Sequence, residues 1–247
     1  MVTTDYVCLL NTQHKFFYDT KFYNFDILIK KIFDGWNKPL ELLHEYTNDN
    51  IAQLTIDNDT STSFHKKYYT SPYYLEFINL YHKFIKEVVL PQIKCEDTKF
   101  VVQSEPSFRI NLPNNTAIGV RYNTDESSGI IGLHCDSEYG HPASELNFMM
   151  TFTNQYGNNS CYVETMPMNN TFVPLEMKYG EFISFYGNKC RHFNKKNDTG
   201  ITRVSIDFRV IPYSRYDPEC KTQSLHSNRK FLIGEYYTVL ECDNHLK

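Results

Sequence analysis

The chain has 247 residues, of which 41% are hydrophobic and 22% charged, and its formal net charge is −4. This ordinary balance gives no reason to expect nucleic acid or an anionic membrane as a partner, and no window approaches the ~20 apolar residues of a transmembrane helix. The seven cysteines form no C-x-x-C pair and the N-terminus does not resemble a signal peptide, so we expect a cytoplasmic protein without a disulfide framework or a structural zinc site.

The first hundred residues are predicted to be mainly helical. Residues 24–36 carry apolar side chains at helical spacing, which indicates one helix. A second helix is predicted from Ser71, a suitable N-cap that precedes a proline, to Pro91, which ends it. The apolar stripe of this second helix is interpreted as core packing and consists of Phe77, Leu80, Tyr81, Phe84, Ile85 and Val88.

From about residue 101 the pattern changes to short apolar or alternating runs separated by Gly, Asn and Pro. Many short strands at this spacing predict a β-sandwich or jelly roll and not a parallel sheet with crossover helices. The predicted strands are residues 117–122, 130–136, 146–153, 161–166, 181–186 and 201–211.

The whole chain, residues 1–247, is predicted to form a single, mainly β domain with a helical N-terminal part. Residues 1–100 would support a β core at residues 101–215, and residues 216–247 would form a C-terminal packing segment. The apolar stretch at residues 231–240 in that segment is expected to return and pack on the helices.

Two histidines and an aspartate form a candidate metal site. If residues 130–136 are a strand, His134 and Asp136 project to the same side about 7 Å apart along the chain, because side chains alternate between faces. A second histidine, His192, follows a later apolar run. Two imidazoles and one carboxylate on one face of a metal leave coordination positions open for a chelating cosubstrate and O2.

The strand predicted at residues 201–211 adds an anion-binding pair. Its even-numbered residues from 202 to 210 are mostly apolar, whereas Arg203, Ser205, Asp207 and Arg209 form the opposite, polar face. A keto acid that chelates iron at one end needs a fixed cation and a hydroxyl for its distal carboxylate, and Arg203 with Ser205 can supply both. Arg209 is the alternative to Arg203 if the register differs.

This H-x-D…H pattern, followed by Arg-x-Ser, resembles the Fe(II)- and 2-oxoglutarate-dependent oxygenase superfamily. The runs HCDSEYGHPASELNF, YVETMPMNNTFVP and YGEFISFYGNKCRHFNKKNDTGITRVSIDFRVIP are similar to a branch that contains a streptomycin-biosynthesis protein. The resemblance covers about residues 105–212. It implies a double-stranded β-helix (a cupin-like jelly-roll barrel), Fe(II), 2-oxoglutarate and O2 as reactants, and succinate and CO2 as co-products. Because related halogenases lack the carboxylate ligand, Asp136 favours hydroxylation or desaturation.

A small polar metabolite, an amino acid or a sugar-like molecule is the expected substrate, and a peptidyl side chain is also compatible. The loop after Asp136 commonly lines the substrate pocket in such an arrangement. The substrate-binding candidates are Arg109, Arg121, Tyr139, His141, Glu145, Asn147 and Glu164. For Arg109 and Arg121, pairing with an acidic side chain is an equally good interpretation.

Two other functions are compatible with the sequence. The first is a metal-binding, cupin-like protein without oxygenase activity, such as a sugar isomerase or a ligand-binding module; cupin sites usually use more histidines and do not need the Arg203–Ser205 pair. The second is a non-catalytic member of the oxygenase superfamily, which ranks last because all motif positions are intact. The oligomeric state and the role of the first hundred residues stay open.

Overall fold

The computed structural model describes residues 3–46, 62–115, 130–224 and 228–242. Within them the chain is mainly β, with its α-helices in the N-terminal part, as predicted. No helix in the described ranges is long and apolar enough to cross a membrane. The α-helices are α1 (Tyr6–Asn11), α2 (Phe25–Ile32), α3 (Ser63–Thr70) and α4 (Tyr74–Phe84).

The boundaries of the two predicted helices differ from the prediction for local reasons. Helix α2 ends at Ile32, before the predicted residue 36, because Asp34 and Gly35 adopt φ values of 56° and 73° in the left-handed region. Ser71 is the C-cap of α3, not the N-cap of α4, which begins at Tyr74. The predicted end is correct, since α4 continues as a π-helical turn and a short 3-10 helix that contains Pro91.

Helices α2 and α4 cover one face of a large sheet through an aromatic core. Phe84 lies 5.4 Å from Phe182, and Tyr81 lies 5.6 Å from Phe208, between ring centroids. Each fully buried ring of this kind contributes about 1.5–3 kcal/mol to folding through burial of apolar surface. The predicted stripe of α4 is therefore core, with Phe77, Tyr81, Phe84 and Ile85 fully buried.

The large sheet is antiparallel throughout. Its strands are β2 (His14–Phe17), β4 (Lys99–Gln103), β5 (Ser107–Asn111), β7 (Leu146–Thr151), β10 (Glu181–Phe185), β12 (Arg203–Pro212) and β13 (Tyr237–Glu241). They pair in the order β13-β4-β12-β7-β10-β2, and β5 also pairs with β12.

A second antiparallel sheet has four strands in the order β6-β11-β8-β9: β6 (Ile131–His134), β8 (Cys161–Glu164), β9 (Phe172–Pro174) and β11 (His192–Asn194). A short parallel ladder joins β1 (Thr4–Asp5) to β3 (Ile93–Lys94). The expected closed barrel is corrected to two separate sheets, because in the described part of the chain no strand pairing joins them. The predicted strand at residues 117–122 lies outside the described residues.

The C-terminal segment packs on the large sheet. Strand β13 pairs with β4 at the sheet edge, and Phe231 and Tyr237 bury themselves against Val101 and Ile211. The segment therefore docks on the sheet edge, while Leu240 from the predicted apolar stretch also packs against the core cluster that the helices share with the sheet. Hydrogen bonding to an open strand edge and burial of aromatic rings favour this position.

Strand β12 separates the two faces of the large sheet, as its alternation predicts. Val204, Ile206, Phe208 and Val210 belong to the aromatic core under the helices. The odd-numbered residues 203–209 point the other way, since Arg203 and Arg209 hydrogen-bond to residues in or next to the four-stranded sheet. The space between the two sheets therefore receives the polar face of β12.

Candidate metal centre

The two sheets bring the three predicted metal ligands together. His134 ends β6 and is paired directly with His192 on β11. Asp136 follows, with its Oδ1 atom 3.3 Å from Nε2 of His192 and 3.9 Å from Nε2 of His134. One ligand atom from each residue lies within 4.8 Å of the others, which is compact enough to surround one metal ion.

Asp136 reaches this position by a route that the sequence did not predict. The strand ends at His134, and Asp136 begins a 3-10 turn that ends at Tyr139. The backbone N–H of Asp136 donates to the Gly187 carbonyl at 2.9 Å, which holds the turn against the neighbouring loop. The carboxylate therefore meets the histidines because the chain turns, not because two residues share a strand face.

Both histidines have a fixed tautomer. Nδ1 of His134 donates to the Gly132 carbonyl at 2.6 Å, and Nδ1 of His192 donates to the Cys190 carbonyl at 3.1 Å. Because a carbonyl can only accept, the Nε2 lone pairs face the site. Burial, reinforced by the neighbouring His192, lowers the pKa of His134 to about 3, so this imidazole is neutral and able to bind metal at neutral pH.

The second oxygen of Asp136 is already occupied. Its Oδ2 atom accepts hydrogen bonds from the Asn147 amide and from Nη2 of Arg209, the latter at 3.1 Å. Burial alone would raise the pKa of Asp136, but the charge of Arg209 holds it well below its usual range. Asp136 is therefore an ionised candidate ligand with Oδ1 directed at the histidines.

A row of alternating charges extends from Asp136. Arg209 donates to Asp207 at 2.5 Å, and Asp207 also accepts from Nε of Arg109 at 2.7 Å. Burial alone would raise the pKa of Asp207, but Arg109 and Arg209 lower it to about 2. Arg209, the alternative cosubstrate anchor, thus lies between two carboxylates. The alternation of β12 predicted the shared face but not these pairings.

Arg203 is different, because it is buried without a carboxylate. Its Nη1 donates to the Asn159 carbonyl at 2.8 Å, and both terminal nitrogens lie 3.4 Å from Oδ1 of Asn194. Among the described residues it has no ion pair, and Arg203 Nε and Ser205 Oγ have no hydrogen-bond partner. Asn194 lies on β11 two residues beyond His192, so the guanidinium lies about 7 Å along that strand from a metal ligand.

A cavity of about 390 Å³ opens beside the metal ligands, and His134 and Asp136 line it. Three of the predicted substrate-binding residues, Arg109, Tyr139 and His141, also line this cavity. Further lining residues come from α3 and the C-terminal segment, and no sequence pattern predicted a role for them. These are His65, Tyr69, Arg229 and Tyr236.

The remaining substrate candidates among the described residues are already bonded to other side chains of the protein. Glu145 is buried and accepts hydrogen bonds from His141 and from the Tyr237 hydroxyl. Glu164 pairs with Arg191, which lowers the pKa of Glu164 to about 2. Asn147 is bonded to Asp136, as described above. The last candidate, Arg121, lies outside the described residues.

Fold and site together define a mainly β protein with a candidate two-histidine, one-carboxylate metal centre between two antiparallel sheets. No protein-family model matches the chain. The streptomycin biosynthesis protein StrG of Streptomyces griseus is 32% identical to it over 193 residues, which are 78% of this chain and 83% of StrG. The chain belongs to the family of StrG.

Likenesses to solved structures are more distant. The ThoJ–Ni complex, a non-heme monooxygenase, aligns with 83% of this chain and 75% of its own at 8% identity and a TM-score of 0.40. AviO1 from Streptomyces viridochromogenes Tue57 aligns with 85% of this chain and 94% of its own at 9% identity and a TM-score of 0.43. At these scores the likenesses carry no argument about fold or activity.

Proposed function

We propose that this protein is a non-haem iron(II) oxygenase that uses 2-oxoglutarate and O2 to oxidise a small polar molecule, an amino acid or a sugar-like substrate. One observation carries the proposal: a buried guanidinium without a carboxylate partner reaches the same strand as one of three converging metal ligands. A double-stranded β-helix, with the two sheets as its halves, is the fold that this proposal implies.

The donor set fits Fe(II). Two neutral imidazoles and one carboxylate are the ligands of the non-haem iron oxygenases, and they leave positions open. When bound, iron supplies the activation of O2 that oxidation of a C–H bond requires. The protein supplies the geometry: Gly132 and Cys190 orient the imidazoles through their carbonyls, and Arg209 keeps Asp136 ionised.

The charge of Arg203 suits the distal end of the cosubstrate. A buried cation without a counter-ion is costly, so an anion that binds against it gains a strong charge-assisted hydrogen bond. The distal carboxylate of 2-oxoglutarate is such an anion, and Ser205 offers a hydroxyl next to it on the same strand face. Arg209 is less suitable, because Asp136 and Asp207 already neutralise it.

The substrate would enter the cavity next to the ligands. Its walls carry guanidinium, imidazole and phenol groups from Arg109, His141 and Tyr139, which suit a hydroxylated or otherwise polar molecule. Arg109 is well placed to contact it, because its side chain is 34% exposed while its Nε is held by Asp207.

The test is consumption of 2-oxoglutarate by the iron-loaded protein during a screen of polar metabolites. We expect O2-dependent release of succinate that a true substrate stimulates, and loss of that release in Arg203→Met. A protein that binds the metal tightly but never forms succinate, with or without candidate substrates, would instead be a cupin-like binding protein or an isomerase.

A further inference from the structure

Unbonded polar groups lie buried around Arg203. Asn111 is 0% exposed, and neither its Oδ1 nor its Nδ2 has a hydrogen-bond partner among the described residues. Arg203 Nε and Ser205 Oγ share this condition. Burying an amide without a hydrogen bond is unfavourable, and such groups are rare in folded proteins. A ligand that bonds to all three would remove the penalty at once.

The strand register places these groups on one patch of the sheet. Asn111 on β5 is directly opposite Arg203 on β12, and Ser205 is opposite Arg109 in the same ladder. Directly opposite side chains share a face, with Cβ atoms about 4.5–5.5 Å apart. Ser205 lies on that face about 7 Å further along β12. The three side chains therefore lie close together on the face of the large sheet that is directed at the four-stranded sheet.

We propose that Asn111 is a third anchor for the distal carboxylate of 2-oxoglutarate, beside Arg203 and Ser205. This inference rests on the proposed function of the site. A carboxylate accepts several hydrogen bonds, so one oxygen accepts from the Asn111 amide while the other meets the guanidinium. The amide oxygen of Asn111 remains to accept a hydrogen bond from Arg203 Nε or from the Ser205 hydroxyl.

The first test is Asn111→Leu in protein loaded with Mn(II), studied without O2 so that nothing turns over. Calorimetry should show the Kd for 2-oxoglutarate weakened about tenfold or more, the loss of one charge-assisted hydrogen bond. The ligand-free variant should melt at the same temperature as the wild type or higher, because an unbonded buried amide has been removed. A merely structural Asn111 would show the reverse: a lower melting temperature and an unchanged Kd.

A second variant, Asn111→Asp, places a carboxylate opposite Arg203. This internal anion should compete for the guanidinium and weaken 2-oxoglutarate more than Asn111→Leu does. Pyruvate, a 2-oxo acid without the distal carboxylate, serves as the matched probe. Its affinity should change by less than about twofold in both variants, since one removed contact is expected to act only on the distal carboxylate.

Ser184→Ala is the control variant. Ser184 is also buried and unbonded, but it lies opposite Phe148 on the helix side of the large sheet. Replacement of its hydroxyl should leave the affinities for 2-oxoglutarate and pyruvate as in the wild type.

If Arg203→Met abolishes 2-oxoglutarate binding while Asn111→Leu leaves it unchanged, the role of Asn111 is refuted and the proposed function stands. If pyruvate binding falls as much as 2-oxoglutarate binding, Asn111 acts on the metal or the fold and the inference is also overturned. An unchanged affinity in Arg203→Met would refute the proposed function itself.

Discussion

Arg203 and Arg209 lie on one face of the same strand, yet their replacement should change stability in opposite directions. Burial lowers the pKa of Arg203 to about 10, which corresponds to about 3 kcal/mol of destabilisation by the buried charge. Its folded-state pKa lies below the unfolded one but well above neutral pH, so at pH 7.5 the group is charged in both states and the full cost applies. The hydrogen bond from Arg203 to the Asn159 carbonyl offsets about 1 kcal/mol of this.

We therefore expect ligand-free Arg203→Met to be more stable than the wild type by about 1–3 kcal/mol. Arg209→Met is the matched comparison, because this change leaves Asp136 and Asp207 without their shared cation. Breaking a buried ion pair in this way costs about 3–5 kcal/mol. The assay is urea denaturation of the metal-free proteins at pH 7.5, with unfolding monitored by circular dichroism.

The same experiment repeated with Mn(II) and 2-oxoglutarate separates function from folding. The cosubstrate should raise the midpoint of the wild type and leave that of Arg203→Met unchanged, since binding to the native state alone stabilises it. A metal-free Arg203→Met that is less stable than the wild type by more than about 1 kcal/mol would refute the reasoning, because Arg203 would then be a structural residue with adequate partners.

Three further predictions follow from the site. His134→Ala should fold normally but lose metal-dependent succinate formation, and full activity in this variant would exclude His134 as a ligand. Gly187→Ala should weaken Mn(II) binding and destabilise the fold by about 1–3 kcal/mol, because a Cβ there would lie 2.8 Å from the Asn147 amide nitrogen that bonds to Asp136; an unchanged metal titration would contradict this. Burial lowers the pKa of His65 to about 4, so the unfolded state binds more protons below pH 6.5 and stability is lost as pH falls from 6.5 towards 4. The free energy of unfolding from urea denaturation should fall by about 2 kcal/mol between pH 7.5 and pH 5 because of His65, and His65→Gln should lack this contribution.

Sequence patterns predicted helices and strands well where the periodicity of apolar residues determines which face is buried. The alternation of β12 predicted both of its faces, and the apolar stripe of α4 is core, as expected. The order of strands in the two sheets depends on contacts between distant segments, which no local pattern contains. The C-terminal segment illustrates this, because its docking on β4 follows from an open sheet edge.

In the candidate site, too, local patterns were predictable and contacts between distant segments were not. The sequence grouped His134 with Asp136 through a local H-x-D motif, and it added His192 through the resemblance to the oxygenase superfamily. It did not predict that Arg209 and Asn147 hold the outer oxygen of Asp136, since that contact depends on the register between β7 and β12. Nor did it predict that α3 contributes to the cavity wall, because the first hundred residues carry no motif that points to the metal.

For the acidic residues predicted to bind substrate, too, the sequence could not show which partners the fold gives them. Glu164 is on a strand near the site and is a reasonable candidate for a substrate contact, yet Arg191, which immediately precedes the neighbouring strand β11, holds it. Glu145 is likewise enclosed by His141 and Tyr237. Charge alone identifies a polar residue near a site, but only the fold shows whether another side chain already satisfies it.

The most direct measurement is anaerobic calorimetry of 2-oxoglutarate with the protein, with and without Fe(II). We expect one molecule to bind per chain, only when the metal is present, and no binding to the His134→Ala or Arg203→Met proteins when Fe(II) is added. Equal binding with and without iron, or no binding to iron-loaded wild type, would contradict the claim that metal and guanidinium hold one cosubstrate between the sheets.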